Sequence, residues 1–190
     1  MDIPVESLVF RKCVMATMST DLRSFARSMM SPMGIDHFSY CRNYPGGRVY
    51  CMTTDPDFSE LYVNEKLYNE VSMASIEFYQ SGYYLWNISF PGSRVGNAIL
   101  EKLGIEYGLT IIRNNYPNYC EFYHYGKKGN NPFLNHFFIN KLNIFEGIAC
   151  LFNESFSRQI AYANANRIIF PESSFDSVYT YQSEEVDLSM

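Results

Sequence analysis

A chain of 190 residues with a formal net charge of −5 is long enough for one domain, and its acidity excludes a grip on a phosphate backbone, which needs clustered Lys and Arg. Aromatics make up 17%, from 16 Tyr and 15 Phe against one Trp, which supplies either a heavy aromatic core or an apolar pocket with hydroxyl handles. No apolar run is long enough to cross a membrane and no basic start leads into one. The five cysteines include no Cys-x-x-Cys pair, so a cytoplasmic protein whose cysteines act as small hydrophobes is expected.

Residues 4–30 read as helical. Pro4 suits a first turn, and Ser19-Thr20-Asp21 offers a cap that divides the segment in two. Residues 5–18 also tolerate an extended form. Leu22, Phe25, Ala26 and Met29-Met30 recur at helical spacing until Ser31-Pro32-Met33-Gly34 stops them. Two β-rich runs over 37–54 flank Pro45-Gly46-Gly47 and predict a hairpin, with Phe38, Tyr40 and Arg42 on one face and Val49 and Cys51 sharing a face of the partner.

Thr54 or Asp55 caps a helix opened by Pro56, with Phe58, Leu61 and Tyr62 on one side, fitting helix–sheet packing and a lid over a pocket equally. Residues 71–82 read as strand or helix. Tyr83 to Trp86 reads as the end of a strand. Beyond the turn at Pro91-Gly92, Val95, Ala98, Ile99, Lys102 and Leu103 predict a helix ending at Gly104.

Leu109–Arg113 and Tyr119–Tyr125 form a second hairpin around Pro117. Phe133, Leu134, Phe137 and Phe138 follow helical spacing. Asn143 and Glu146 then resemble a capping box ahead of one long stripe, Phe145, Ile148, Ala149, Phe152, Phe156, Ile160 and Ala163, which packs on the sheet or serves a dimer. That helix is expected to end near 168–171, leaving 172–190 as an acidic polar tail or truncated linker. The order predicts an α+β, α–β–α sandwich of PAS or GAF type with about five antiparallel strands, occupying residues 1–171.

No catalytic machinery is legible, and a non-enzyme is expected. His37, His124 and His136 are not at ligand spacing, so no metal and no cofactor is expected. His124 reads as a core or pocket histidine. Gly92-Ser93-Arg94-Val95-Gly96 places its serine one position too early for a nucleophile elbow, and Gly126-Lys127-Lys128-Gly129 lacks the spacing of a phosphate loop.

Several runs in order resemble the autoinducer-binding domain of LuxR-type transcriptional regulators. They are Phe38-Ser39-Tyr40, the turn at Pro45-Gly46-Gly47, Phe58 with Tyr62, Leu85-Trp86-Asn87, and Gly104 through Gly108-Leu109-Thr110-Ile111. Tyr119 to Tyr123 and Asn166 to Pro171 are similar to a LuxR-like subgroup of sensors, and the resemblance covers about 20–171. It implies a small signal, an acyl-homoserine lactone or another apolar ligand, held between sheet and helices. By position, Trp86 matches the tryptophan whose indole N–H meets a lactone carbonyl. Tyr62 matches the tyrosine near the amide carbonyl, and Phe58 the ring above.

The Asp-Pro that accepts the ligand amide in that family is replaced by Asn69-Glu70-Val71, which leaves Glu70, with a longer side chain, in that place. Tyr40, Phe58, Tyr62, Glu70, Trp86 and Tyr123 are therefore the candidate ligand contacts. A homodimer or partner protein is implied, with no DNA binding by these 190 residues, since no helix-turn-helix follows Pro171. The alternative is a stand-alone PAS-like interaction or dimerisation protein without a small ligand.

Overall fold

The computed structural model describes residues 3–4, 20–45, 48–65, 67, 76, 79–89, 92–165 and 168–169. Five antiparallel strands make the body of the sheet: β2 (His37–Tyr44), β3 (Arg48–Thr53), β4 (Gly82–Leu85), β5 (Tyr107–Asn115) and β6 (Tyr119–Lys127), in the order β3-β2-β6-β5-β4. Two short strands extend the β3 edge. β7 (Ile168–Ile169) pairs antiparallel with β3, and β1 (Ile3–Pro4) pairs parallel with β7. The expected α+β architecture is what the chain adopts.

Both expected hairpins form, because β-branched and aromatic runs flank turns that contain Pro or Gly. β5 starts two residues before the expected Leu109, so Tyr107 and Gly108 belong to the ladder and pair with Lys127 and Gly126. α4 (Arg94–Leu103) runs as expected. Ser93 accepts from the Gly96 N–H at 2.9 Å at its start, and Gly104 closes it with φ 68°, a left-handed conformation open to glycine. α2 (Pro56–Asn64) is capped by Asp55, whose carboxylate accepts from the Phe58 N–H at 3.1 Å. Thr54 instead exchanges hydrogen bonds with the backbone of Phe38 and ties the helix entry to β2.

Several expectations are corrected. Pro4 lies in β1 rather than in a helical turn; α1 covers 20–29, and residues 5–19 lie outside the described residues. Trp86 does not end a strand but opens a short helix, α3 (Trp86–Ser89). The capping box at Asn143 does not form: α5 (Phe133–Asn140) is followed after one residue by α6 (Leu142–Ser155), so Asn143 is already helical, and Lys141 makes no side-chain cap. The long stripe is divided at Phe156 between α6 and α7 (Ser157–Ala165), and Ile168 is in a strand. Cys41 and Cys51 face each other across β2–β3 and are joined as a disulfide, which corrects the expectation of isolated thiols; Cys120 and Cys150 are free.

Alternation along the strands gives the sheet two faces of different character. One carries Phe38, Tyr40, Leu109, Tyr123 and Tyr125, all fully buried beneath Phe138, Phe145, Phe152 and Phe156 of the C-terminal helices and Leu22 and Met30 of the α1 region. From Phe145 to Ile160 the C-terminal stripe therefore belongs to the domain's own core. The other face carries His37, Ser39, Cys41, Thr110, Phe122, His124 and the paired glycines Gly108 and Gly126.

Candidate functional site

The second face is built around Trp86. Gly108 and Gly126 stand directly opposite one another on β5 and β6. A Cβ on Gly108 would collide with the indole ring, and one on Gly126 would stand 3.2 Å from its Cη2 and 3.1 Å from Ile105. The two glycines thus form a flat platform on which the indole lies, a close approach that a side chain at either position would obstruct.

The indole N–H donates to Thr110 Oγ1 at 2.9 Å, and that oxygen lies 2.7 Å from His124 Nδ1. Thr110 and His124 are cross-strand partners, so the ladder itself sets this spacing. Phe122 is stacked on the His124 ring, with planes 5° apart. Burial pushes the His124 imidazole down to about 3, and nearby His37 adds to the effect. His37, edge-on to Phe58, is lowered by burial to about 4 against the opposing pull of Asp55. Both rings are therefore neutral at physiological pH.

Over this floor stand Phe58, Leu61 and Tyr62 of α2, Leu67, and Val95, Ala98, Ile99 and Leu103 of α4, in one apolar cluster with Trp86. Three rings of the candidate set, Phe58 and Tyr62 from α2 and Trp86 from α3, are thereby brought together. Ser39, Cys41 and His124, on the two central strands, each retain accessible surface, whereas their neighbours Phe38, Tyr40, Tyr123 and Tyr125 on the opposite face retain none. His124 thus keeps some accessible surface on an interior strand, although burial lowers its imidazole to about 3.

The structure divides the six candidates. Tyr40 and Tyr123 lie on the face away from Trp86, with ring centroids 5.2 Å apart and planes tilted by 51°, and both pack on Phe152. The Tyr40 hydroxyl donates to Glu121 at 2.7 Å, Arg42 pairs with the same carboxylate oxygen at 2.6 Å, and Asn153 donates to the Tyr123 hydroxyl at 2.7 Å. Their hydroxyls thus serve a buried network between sheet and α6. Glu70 lies outside the described residues. An open groove lined by Arg23, Arg27, Met30 and Thr54, between α1 and the start of β2, holds none of the six.

Sequence reasoning missed Thr110 and Gly126. Thr110 stood inside the Gly108-Leu109-Thr110-Ile111 run, two residues from Gly108 and so on the same face, which was the signal available. Among the described residues no group of three His, Cys, Asp or Glu could hold a metal ion, and no helix is long and apolar enough to cross a membrane.

The sequence matches no protein-family model and no curated protein. Solved structures do match. Escherichia coli SdiA superposes with a TM-score of 0.50 at 13% identity, over 77% of this chain and 67% of SdiA. SdiA in complex with octanoyl-rac-glycerol gives 0.50 at 12%, over 80% and 68%. CepR2 from Burkholderia cenocepacia, an N-acylhomoserine lactone dependent LuxR family transcription factor, gives 0.51 at 9%, over 75% of this chain and 94% of CepR2.

The fold is that of SdiA and CepR2. At identities this low the likeness extends to the fold, and the site has to be argued from its own residues. Here the geometry departs from the expectation drawn from the resemblance: the indole N–H of Trp86 is already engaged by Thr110.

Proposed function

We propose that this chain is a ligand-sensing domain that binds a small, largely apolar molecule between the Trp86 face of the sheet and α2 and α4. The observation that carries the reading is the pairing of a converged aromatic wall, Phe58, Tyr62 and Trp86, with sheet residues beneath it that remain accessible. A concave apolar site with few polar groups is the usual form of a small-molecule pocket. The shared fold with a lactone-dependent transcription factor and with a protein solved in complex with octanoyl-rac-glycerol supports a signal-sensing role in transcription regulation. Glu70 remains the candidate acceptor for an amide on the ligand.

The test is thermal melting with octanoylglycerol and a series of acyl-homoserine lactones, beside Trp86→Phe and Tyr62→Phe. A ligand at 100 times its Kd stabilises by about 2.7 kcal/mol. At roughly 2–4 °C per kcal/mol, a chain of this size should then melt on the order of 5–10 °C higher. No rise with any compound removes the small-molecule reading.

The interaction reading, including a homodimer, draws on a different surface from the one first considered. Ile139, Ile144 and Leu151 are 42–43% exposed and Phe133 is 73% exposed on α5 and α6, while the inward stripe is buried.

A further inference from the structure

We propose that Cys41 and Cys51 are a reversible thiol–disulfide pair that responds to its redox surroundings while the domain stays folded. Oxidised, the pair clamps the outer strand β3 to β2; reduced, it lets β3 open more freely.

The two cysteines stand directly opposite one another in the β2–β3 ladder, with Cα atoms 4.3 Å apart, the closer of the two spacings that an antiparallel pair offers. Both side chains therefore leave the sheet on the same face, and the ladder keeps them neighbours whether or not the sulfurs are joined. Both residues keep accessible surface. Cys51 is the more open of the two by topology. Among the described residues the outer side of β3 pairs with β7 only at Arg48 and Val49, and Cys51 lies beyond them.

The hairpin has other means of holding together. Successive residue pairs from Ser39–Thr53 to Tyr44–Arg48 join β2 to β3, and β6 pairs along the other side of β2. On the opposite face Tyr40, Tyr50 and Met52 are buried in the core. Just past the end of β3, Thr54 Oγ1 bonds the backbone of Phe38. The sulfur bond spans a sequence separation of 10 in a hairpin that these contacts already close, so it restricts the unfolded chain less than a long-range link would. An accessible disulfide of this kind is open to exchange with dissolved thiols.

The reductant is a thiol such as glutathione. Its thiolate attacks Sγ of Cys51, the bond to Cys41 breaks, and a mixed disulfide forms; a second thiolate then displaces Cys51. Each cysteine takes up a proton that the reductant gives up, two electrons pass to the pair, and the reductant leaves as its own disulfide. Cys120 stays out of this exchange. It is fully buried on β6, and burial pushes its thiol up to about 12, so it remains protonated. Cys150, exposed on α6, is a free thiol against which the pair can be compared.

The test is alkylation of the folded full chain, read by mass spectrometry of its peptides, after purification without reductant and incubation in reduced or oxidised glutathione. Iodoacetamide should label Cys41 and Cys51 in the reduced buffer and neither in the oxidised one, with circular dichroism unchanged between the two. Cys150 should react in both buffers, with iodoacetamide or as a glutathione adduct, and Cys120 in neither. Returning the reduced protein to oxidised glutathione should rejoin Cys41 to Cys51. Amide hydrogen exchange in the reduced form should rise several-fold in β3 and stay unchanged in the β5–β6 hairpin. A bond that yields only in denaturant, a reduced protein that loses its fold, thiols that oxidised glutathione does not join, or the same exchange in β3 in both states would each overturn the proposal. No ligand enters these measurements, so the sensor reading stands or falls separately.

Discussion

Trp86 has its orientation because two residues lack a side chain. The platform of Gly108 and Gly126 lets a large ring lie flat against the backbone, where its N–H reaches Thr110. Substituting Gly108 by Ala places a methyl group where ring carbons now sit. The ring must leave, or the strands must part, at a cost of about 1–3 kcal/mol, typical of overpacking. We expect Gly108→Ala to shift the Trp86 emission, lower the urea midpoint and abolish ligand-linked stabilisation together. An unchanged emission spectrum would contradict the platform. At this scale the sequence was partly legible: Trp86 and Gly108 both stood in the resemblance, but that they touch did not follow from it. That Tyr40 and Tyr123 lie on the opposite face from Trp86 did not follow from it either. Alternation assigns neighbouring residues to opposite faces, but not which face holds the site, and aromatic hydroxyls suit a buried network as well as a pocket.

At the scale of elements, α6 shows how a stripe is assigned by its partner rather than by its pattern. Phe145, Ile148, Ala149 and Phe152 are spaced as a core stripe and as a dimer seam would be. The structure lays them on Tyr40, Tyr123 and Tyr125 of the sheet, with Phe152 fully buried and 4.9 Å from Tyr40. Phe152→Asp puts an unpaired carboxylate among those rings and should eliminate cooperative unfolding in circular dichroism, since truncation of a buried Phe alone costs about 3–5 kcal/mol. Leu151→Asp, one residue away and 43% exposed, should leave the fold intact. A folded monomeric Phe152→Asp protein in sizing experiments would reverse the assignment and return the stripe to an interface. The ends of elements were read less well than their middles. The capping box at Asn143 failed because α5 and α6 are separated by one residue, Lys141, so helix geometry resumes before Asn143 can act as a cap.

For the whole molecule, two desolvated, neutral histidines set a pH dependence. His37 and His124 titrate near 4 and 3 in the folded chain, against about 6.5 when unfolded. Between those values the unfolded chain binds more protons, so stability rises with pH across the window and falls on acidification. The loss should begin near pH 6.5, steepen to about 1.4 kcal/mol per pH unit for each histidine, and level off for His37 below 4 and for His124 below 3. Urea midpoints measured from neutral pH down to 4.5 should drop accordingly, and His37→Phe should reduce the slope by about half. A flat profile over that interval would show that these rings are solvated.

The sequence by itself determined the two hairpins, the helix from Arg94 to Gly104 and the α+β class. Those depend on side-chain period, β-branching and turn residues within a few positions of each other, and such local preferences act whatever surrounds them. Only the tertiary structure decided that Phe58, Tyr62 and Trp86 share one side of the sheet while Tyr40 and Tyr123 lie on the other. It alone joined Cys41 to Cys51 and gave the indole proton of Trp86 to Thr110. These outcomes depend on strand order and register, which bring residues tens of positions apart within a few ångströms, and no short stretch of sequence specifies that separation.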